Sequence, residues 1–394
     1  MAKLIDITGK AISGEWGNDD NTGTGIPVLR TTNFTNEGVI NYSNVVTRDI
    51  AKKDLSQKYL QPGDIIIEKS GGSDKQPVGR VVYFDGEPNS YLFNNFTGCL
   101  RVCNKDVWYP RYVFYALYGN YINGGTRRYE NKTTGLHNLK TDQYVQDFAI
   151  QEQPIEYQQK VVAKLDKVTE LIALRKEQLA KLDQLVKSRF IEMFGDPVTN
   201  ERGWHVKPLL EMGSCKNGMN FHYEDNGVEI NCLGVGDFKD HTTINDTSLL
   251  PTVSLNEMPY DEYLLKDDDI VFVRSNGNKS LVGRSVAVYP GLVPTTFSGF
   301  CIRFRKTDDT IVIPYLLQVL KAESIRQKMV GRGANIQNLN QQILGTLVIP
   351  VPPIILQNQF AEFIKQVDKS KFDLKQSLEK LETLKKSLMQ QYFG

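Results

Sequence analysis

Between Ile155 and Gly195 the apolar positions fall at Val161, Leu165, Val168, Ile172, Leu179, Leu182 and Val186, and Arg175 takes the one slot without an apolar residue. Spacings that alternate four and three form the narrow heptad seam of a coiled coil, not the wider stripe of a globular helix. The flanks are Lys, Glu, Gln and Asp, as a solvated helix surface needs. The pattern returns between Ile354 and Gly394, where Phe360, Ile364, Val367, Leu374, Leu378 and Leu381 keep the same register and Lys371 takes the polar slot. Both stretches open just after a Pro and close on Phe-Gly. Two long helices with one seam each predict a coiled-coil pair within the chain.

Ahead of each helix the pattern changes to short apolar runs bounded by turn residues, which predict strands. In the first unit Leu60-Gln-Pro-Gly-Asp64 launches Ile65-Ile66-Ile67, and a loop follows at Lys69-Ser-Gly-Gly-Ser-Asp-Lys75. Val78-Gly-Arg-Val-Val-Tyr83 and Tyr91–Val102 supply further strands, and Pro110 opens a helix in which Tyr112, Tyr115 and Tyr118 recur at packing spacing. The second unit repeats the plan. Leu209–Met212 with Gly218 mirrors Leu4–Ile7 with Gly14. Asp269-Ile-Val-Phe-Val-Arg-Ser275 mirrors Asp64–Ser70, and Leu281–Arg284 mirrors Pro77–Arg80. Phe297-Ser-Gly299 is matched to Phe96-Thr-Gly98, Pro314-Tyr315 to Pro110-Arg-Tyr112, and Asn335–Leu339 to Gly135–Leu139. The expected class is α+β: two domains of similar mixed fold, residues 1–153 and 198–352, separated by two long coiled-coil helices, 154–197 and 353–394, in a pseudo-twofold internal repeat.

Composition adds limits. A chain of 394 residues holds two or three full cores. Nothing in it reads as a secretion signal or a membrane span, so a cytoplasmic protein is expected. The five Cys are odd in number and scattered, which suits free thiols in a reducing compartment. His137, His205, His222 and His241 show no ligand spacing, so no metal is expected. A net charge of +1 argues against an all-over cationic coat, while leaving room for basic residues gathered on one face.

Catalytic signatures are missing. There is no P-loop, no methyltransferase Asn/Asp-Pro-Pro-aromatic run, no serine elbow and no zinc motif. Asp64 with Glu68-Lys69 loosely suggests a metal-dependent nuclease, but the second unit has Asp269, Val273 and Arg274 there, without the Glu. Asp64 and Asp269 read better as turn residues that fix the start of a strand. The loops carry a different chemistry. Lys69, Ser70 and Lys75, with Arg127, Arg128, Lys132 and Thr134 after the helix, mix cations with small polar residues. Arg274, Ser275, Asn276 and Lys279, with Arg326, Lys328, Arg332, Asn335 and Gln337, do so in the second unit. Arg30 and Asn33, in the polar loop after an early strand, and Lys239 join the set. Such loops approach phosphates closely and offer donors and acceptors to base edges.

The stretch Lys164–Phe190, KLDKVTELIALRKEQLAKLDQLVKSRF, carries a further likeness. With it go the Pro-rich Ile349–Pro353, the Gly-Asp-Ile strand with its Ser-Gly loop, the Asn-Leu segment before the helix, and the twofold layout. Across essentially all of its length the chain resembles the specificity subunits of Type I restriction–modification systems. The resemblance implies two target recognition domains, each reading half of a split double-stranded DNA sequence. It implies helices paired antiparallel, with Leu165, Val168, Ile172, Leu179 and Leu182 facing Ile364, Val367, Leu374, Leu378 and Leu381, that space the domains and dock two methyltransferase subunits. Restriction subunits would join through those. S-adenosylmethionine, ATP and Mg²⁺ would bind the partners, and this chain would hold neither cofactor nor catalytic centre. Other readings are a nuclease with its own active site, a subunit of a Type II-like modification complex, and a coiled-coil scaffold.

Overall fold

The structure, a computed structural model, describes residues 1–51, 54–133, 136–221, 227–238, 243–330 and 338–394. It divides into two compact units, one of residues 1–176 with 376–394 and one of residues 177–375. No helix among the described residues is long and apolar enough to cross a membrane.

In the first unit the central sheet runs in the order Ile12–Ser13, Thr97–Leu100, Ile65–Glu68, Val81–Tyr83, antiparallel throughout. Ile65–Glu68 is buried along its whole length because both of its faces are covered. Ile65 and Ile67 join the core under the helix Pro110–Ile122, whereas Ile66 joins Leu29, Phe93 and Cys99 on the other side. A second sheet holds Asn18–Asp19, Val46–Asp49, Ile26–Leu29 and Leu92–Phe93, the last two parallel. A third joins Glu130–Thr133, Leu136–Leu139 and Ser70–Gly72. Ala2–Lys3 pairs with Ala149–Ile150, so the domain's first and last strands are neighbours. Tyr112, Tyr115 and Tyr118 are core residues, as their helical spacing predicts.

The second unit repeats this order. Its central sheet runs Gly213–Asn217, Cys301–Lys306, Asp269–Val273, Ser285–Val288, with Thr243–Ile244 added in parallel at the edge. Thr252–Leu255, Val228–Leu233 and Thr295–Phe297 form the second sheet, again with one parallel pair. Val206–Pro208 pairs with Val348–Pro350. The Ser70–Asn138 pairing of the third sheet returns as an isolated bridge, Ser275–Asn338.

Two polar devices recur in both units. Asp64 accepts the Gln61 N–H at 2.8 Å and takes two bonds from Arg101 at 2.8 and 2.7 Å. Asp269 does the same with the Lys266 N–H at 2.7 Å and Arg305 at 2.8 and 2.7 Å. These are the strand-starting turns read from sequence, each closed by a bidentate arginine. The second device is a buried glutamine in the first turn of each long helix. Gln158 accepts from Tyr109 N–H at 2.9 Å and donates to the Val107 and Gln153 carbonyls at 2.8 and 2.9 Å. Gln357 accepts from Val312 N–H at 3.0 Å and donates to Thr310 and Pro352 at 3.0 and 2.7 Å.

The long helices are Ile155–Phe194 and Ile354–Phe393, of 40 residues each, or about 60 Å at about 1.5 Å per residue. Within the first unit Lys164 lies beside Tyr392 and Arg175 beside Ser377, so the helices run antiparallel. Within the second, Phe190 and Phe194 pack on Phe360, and Asp183 pairs with Lys371 at 2.6 Å. Leu165, Val168, Ile172 and Val367 are buried, whereas Ile364, Leu179, Leu182, Leu374, Leu378 and Leu381 are half-buried.

The cysteines are all free; Cys99, Cys232 and Cys301 are buried, while Cys103 is exposed beyond the end of its strand rather than within it. Burial pushes the Cys232 thiol up to about 12.

Candidate nucleic-acid interface

Each central strand ends in a cation followed by a serine, held in one backbone frame. In the first domain the Lys69 and Ser70 N–H groups both donate to the Phe96 carbonyl, at 2.8 and 3.3 Å, and the Lys69 carbonyl accepts from Leu139 N–H at 2.8 Å. In the second, Arg274 and Ser275 donate to the Phe300 carbonyl at 2.8 and 3.3 Å, and Leu339 N–H donates to Arg274 at 2.8 Å. The cation thus leaves the sheet at the same point in both domains, and the Arg274 guanidinium also donates to the Gly299 carbonyl at 3.4 Å.

These bonds also correct the sequence match. Phe96 corresponds to Phe300, not to Phe297. Phe297 is fully buried in its strand and corresponds to Phe93. Phe96 and Phe300 sit in the turns that lead from the second sheet to the central one, 55% and 61% exposed, beside the cations. Sequence reasoning missed them as surface features. Aligning the strand that follows, Thr97 with Cys301, would have placed two aromatic residues in matching polar turns.

The loops around the cations are braced from within. Glu68, fully buried, takes two bonds from Arg80 at 2.8 and 3.2 Å, and Arg80 also donates to the Thr31 and Phe34 carbonyls. Gly71 is required here: its φ is +139°, and a Cβ would lie 2.7 Å from Glu68 Oε1. Asn33 is buried, with Oδ1 accepting from Arg30 N–H and Nδ2 donating to the Asn41 carbonyl, so it clamps its loop. Arg30 is half-buried, its Nε without a partner among the described residues. His137 shares a 2.9 Å hydrogen bond with Glu130 and lies 3.6 Å from Asp74, whose carbonyl accepts from Arg127. That network carries the exposed Lys75 and Arg127, while Arg128 lies over Tyr129.

In the second domain Asn276 accepts the Asn278 N–H and Asn278 the Ser280 N–H, in a loop that bears Lys279. Arg326 donates to the Ser280 and Val282 carbonyls, so it too is a clamp; burial and Arg284 lower its pKa. Lys328 is exposed, and Lys132 lies on the strand Glu130–Thr133. Thr134, Lys239, Arg332, Asn335 and Gln337 lie outside the described residues. The structure therefore groups Lys69, Ser70, Lys75 and Arg127 on one domain, and Arg274, Ser275, Asn276 and Lys279 on the other.

The acidic pair that suggested a nuclease is taken up elsewhere: Asp64 belongs to Arg101 and Glu68 to Arg80. Among the described residues no three His, Cys, Asp or Glu side chains stand together as a metal site.

Two copies of one α+β domain, each followed by a long pairing helix and each presenting a cation, a serine and an exposed phenylalanine, define a twofold recognition scaffold. The family model for the Type I restriction modification DNA specificity domain matches residues 2–184 and 201–386. The specificity subunit of the Type I restriction enzyme StySPI from Salmonella potsdam is 27% identical over 372 residues, covering 87% of this chain and 74% of that one. A putative MjaX specificity subunit from Methanocaldococcus jannaschii is 21% identical over 99% of this chain and 91% of its own. The crystal structure of a Type I S subunit from M. genitalium superposes with a TM-score of 0.57 at 15% identity, over 100% of this chain and 95% of that one, and shares the fold. The chain belongs to the Type I restriction modification DNA specificity family: it is a specificity subunit.

Proposed function

We propose that each globular domain reads one half of a two-part DNA target with the cation, serine and phenylalanine at the end of its central strand. The observation that carries this reading is the repetition of one backbone frame, with an exposed Phe beside it, in two domains whose loops otherwise differ. A cation there neutralises phosphate and fixes register, a hydroxyl donates or accepts at a base edge, and an apolar ring covers a thymine methyl or a sugar. Two modest half-sites read together gain from effective concentration, so neither domain needs to bind tightly alone.

The long helices are the proposed docking element for two methyltransferase subunits, through which restriction subunits join. Leu174 and Leu384 in the first unit, and Leu185, Ile191 and Phe372 in the second, are exposed apolar residues off the pairing seam and support that role. In this reading S-adenosylmethionine, ATP and Mg²⁺ bind the partners, the chemistry is theirs, and this chain acts in the cytoplasm by recognition.

The test uses the complex reconstituted with its methyltransferase subunit and genome-wide mapping of methylated sites. Lys69→Ala or Arg274→Ala should weaken DNA binding by about three- to tenfold across all sequences and flatten its salt dependence. Phe96→Ala should relax the sequence of one half-site, and Phe300→Ala that of the other. An unchanged target profile and affinity in all four variants overturns the proposal.

A further inference from the structure

The second unit contains a cavity of about 710 Å³ between the helix Ile313–Lys321, the strand Ser285–Val288 and the long-helix segments around Val186 and Ile364. We infer that it is a binding site for a small organic phosphate of nucleotide size, and that its counterpart in the first unit is plugged.

The internal repeat supplies the control. Tyr109 and Val312 meet the equivalent glutamines, and Tyr112 packs on Phe393 as Tyr315 packs on Phe194. In that register Arg111, Phe114, Tyr115 and Tyr118 of the first unit stand where Pro314, Leu317, Gln318 and Lys321 stand in the second. The strand pairings place Tyr83 at the position of Ala287, and the long-helix repeat places Asp166 at that of Lys365 and Lys385 at that of Val186.

In the first unit these residues form one plug. Arg111 lies 4.5 Å over the Tyr83 ring and donates to Asp166 at 3.0 Å. Tyr115 donates to the same carboxylate at 2.5 Å, Phe114 packs on Tyr83 at 5.6 Å, and Lys385 lies 5.5 Å from the Tyr118 ring. In the second unit the large aromatics give way to Ala, Leu, Gln and Lys, and the space stands open. The scaffold does not require the cavity, because the same frame closes it in the other copy.

The wall is positive. Lys187, Arg284, Lys321, Lys365 and Lys371 line it, against Asp183 and Asp368. Lys371 is taken by Asp183. Arg284 corresponds to Arg80, as the equivalent bonds from the Val273 and Glu68 N–H groups show, but Arg80's acid partner Glu68 is replaced by Val273. Among the described residues Lys187, Arg284, Lys321 and Lys365 close no ion pair, and Asp368 is the only other carboxylate on the wall. Burial, and then Lys371, bring Lys321 down to about 8, against the opposing pull of Asp368 and Asp183. Val186, Ile313, Leu317 and Ile364, with Tyr289 at the rim, offer an apolar surface for a flat body beside those cations. Cations meeting an apolar floor suit a ligand with a ring at one end and a phosphate at the other, and the volume lies in the usual range for such sites.

The site is separate from the strand-end cations that face DNA in the proposed function, and its test needs no DNA. The full chain is titrated calorimetrically with adenosine monophosphate and, separately, with inorganic phosphate. Saturable one-to-one binding of the nucleotide is expected, at least about tenfold tighter than phosphate. Lys321→Gln should weaken it by about tenfold or more, and Leu317→Phe, which restores part of the plug, should do the same with an unchanged circular dichroism spectrum. Absence of saturable nucleotide binding at millimolar concentration, or equal binding by wild type and both folded variants, overturns the inference, as does equal affinity for phosphate alone.

Discussion

Asp64 and Asp269 show how much a single side chain can hold. Each carboxylate closes a turn, starts a buried strand and neutralises an arginine that also ties down the preceding loop through the Tyr59 or Leu264 carbonyl. Asp64→Ala or Asp269→Ala removes one partner of a buried pair and should lower unfolding stability by about 2–4 kcal/mol in urea titrations. A loss below about 0.5 kcal/mol would show that water replaces the carboxylate. The turn role was legible because Pro-Gly-Asp and Asp-Asp-Asp precede apolar runs. The arginine partners were not, since Arg101, just past the end of its strand, and Arg305 lie 37 and 36 residues further along the chain. Asn33 and Arg326 turned out to brace their loops, which the sequence could not show for a related reason. A polar residue in a surface loop has the same sequence signature whether it faces solvent or ties up carbonyls. Phe96 was hidden by a false match to Phe297, because both lie near a Ser or Thr and a Gly.

Among the elements, the long helices were read most fully, because a heptad pattern sustained over this length fits little besides a paired helix. Their polar seam positions now have partners: Arg175 donates to Ser377 at 3.2 Å, and Lys371 pairs with Asp183. Each exchanges an apolar contact for a bond that holds only in the antiparallel register. What the pattern could not show is the fastening of each helix to its own domain. Gln158 and Gln357 carry that role, and sequence offers only an ordinary helix-surface glutamine. Gln158→Ala strands the Tyr109 N–H and two carbonyls, and should cost about 1–3 kcal/mol in thermal or urea unfolding, with Gln357→Ala alike. Substitution of the exposed neighbour Gln159 should change stability by less than about 0.5 kcal/mol. Equal effects at 158 and 159 would remove the glutamine from its role.

For the whole molecule, the repeat made the architecture legible and the site only partly so. Strand order survives changes of loop length, whereas the residues that meet a ligand are those in which the copies differ. Exchange of residues 1–150 for those of a relative should change one half of the methylated sequence and leave the other half intact. A change in both halves, read by mapping methylated sites, would contradict independent reading. The two-strand ribbons Ala2–Lys3 with Ala149–Ile150, and Val206–Pro208 with Val348–Pro350, have a consequence for heredity. Each fastens the two ends of its domain side by side, so the polypeptide leaves the domain almost where it came in. A recombination event with both crossovers at such a ribbon swaps a complete cassette and leaves the helix seam untouched. A genome can then acquire a new target preference in one step while keeping every enzyme already fitted to the old one.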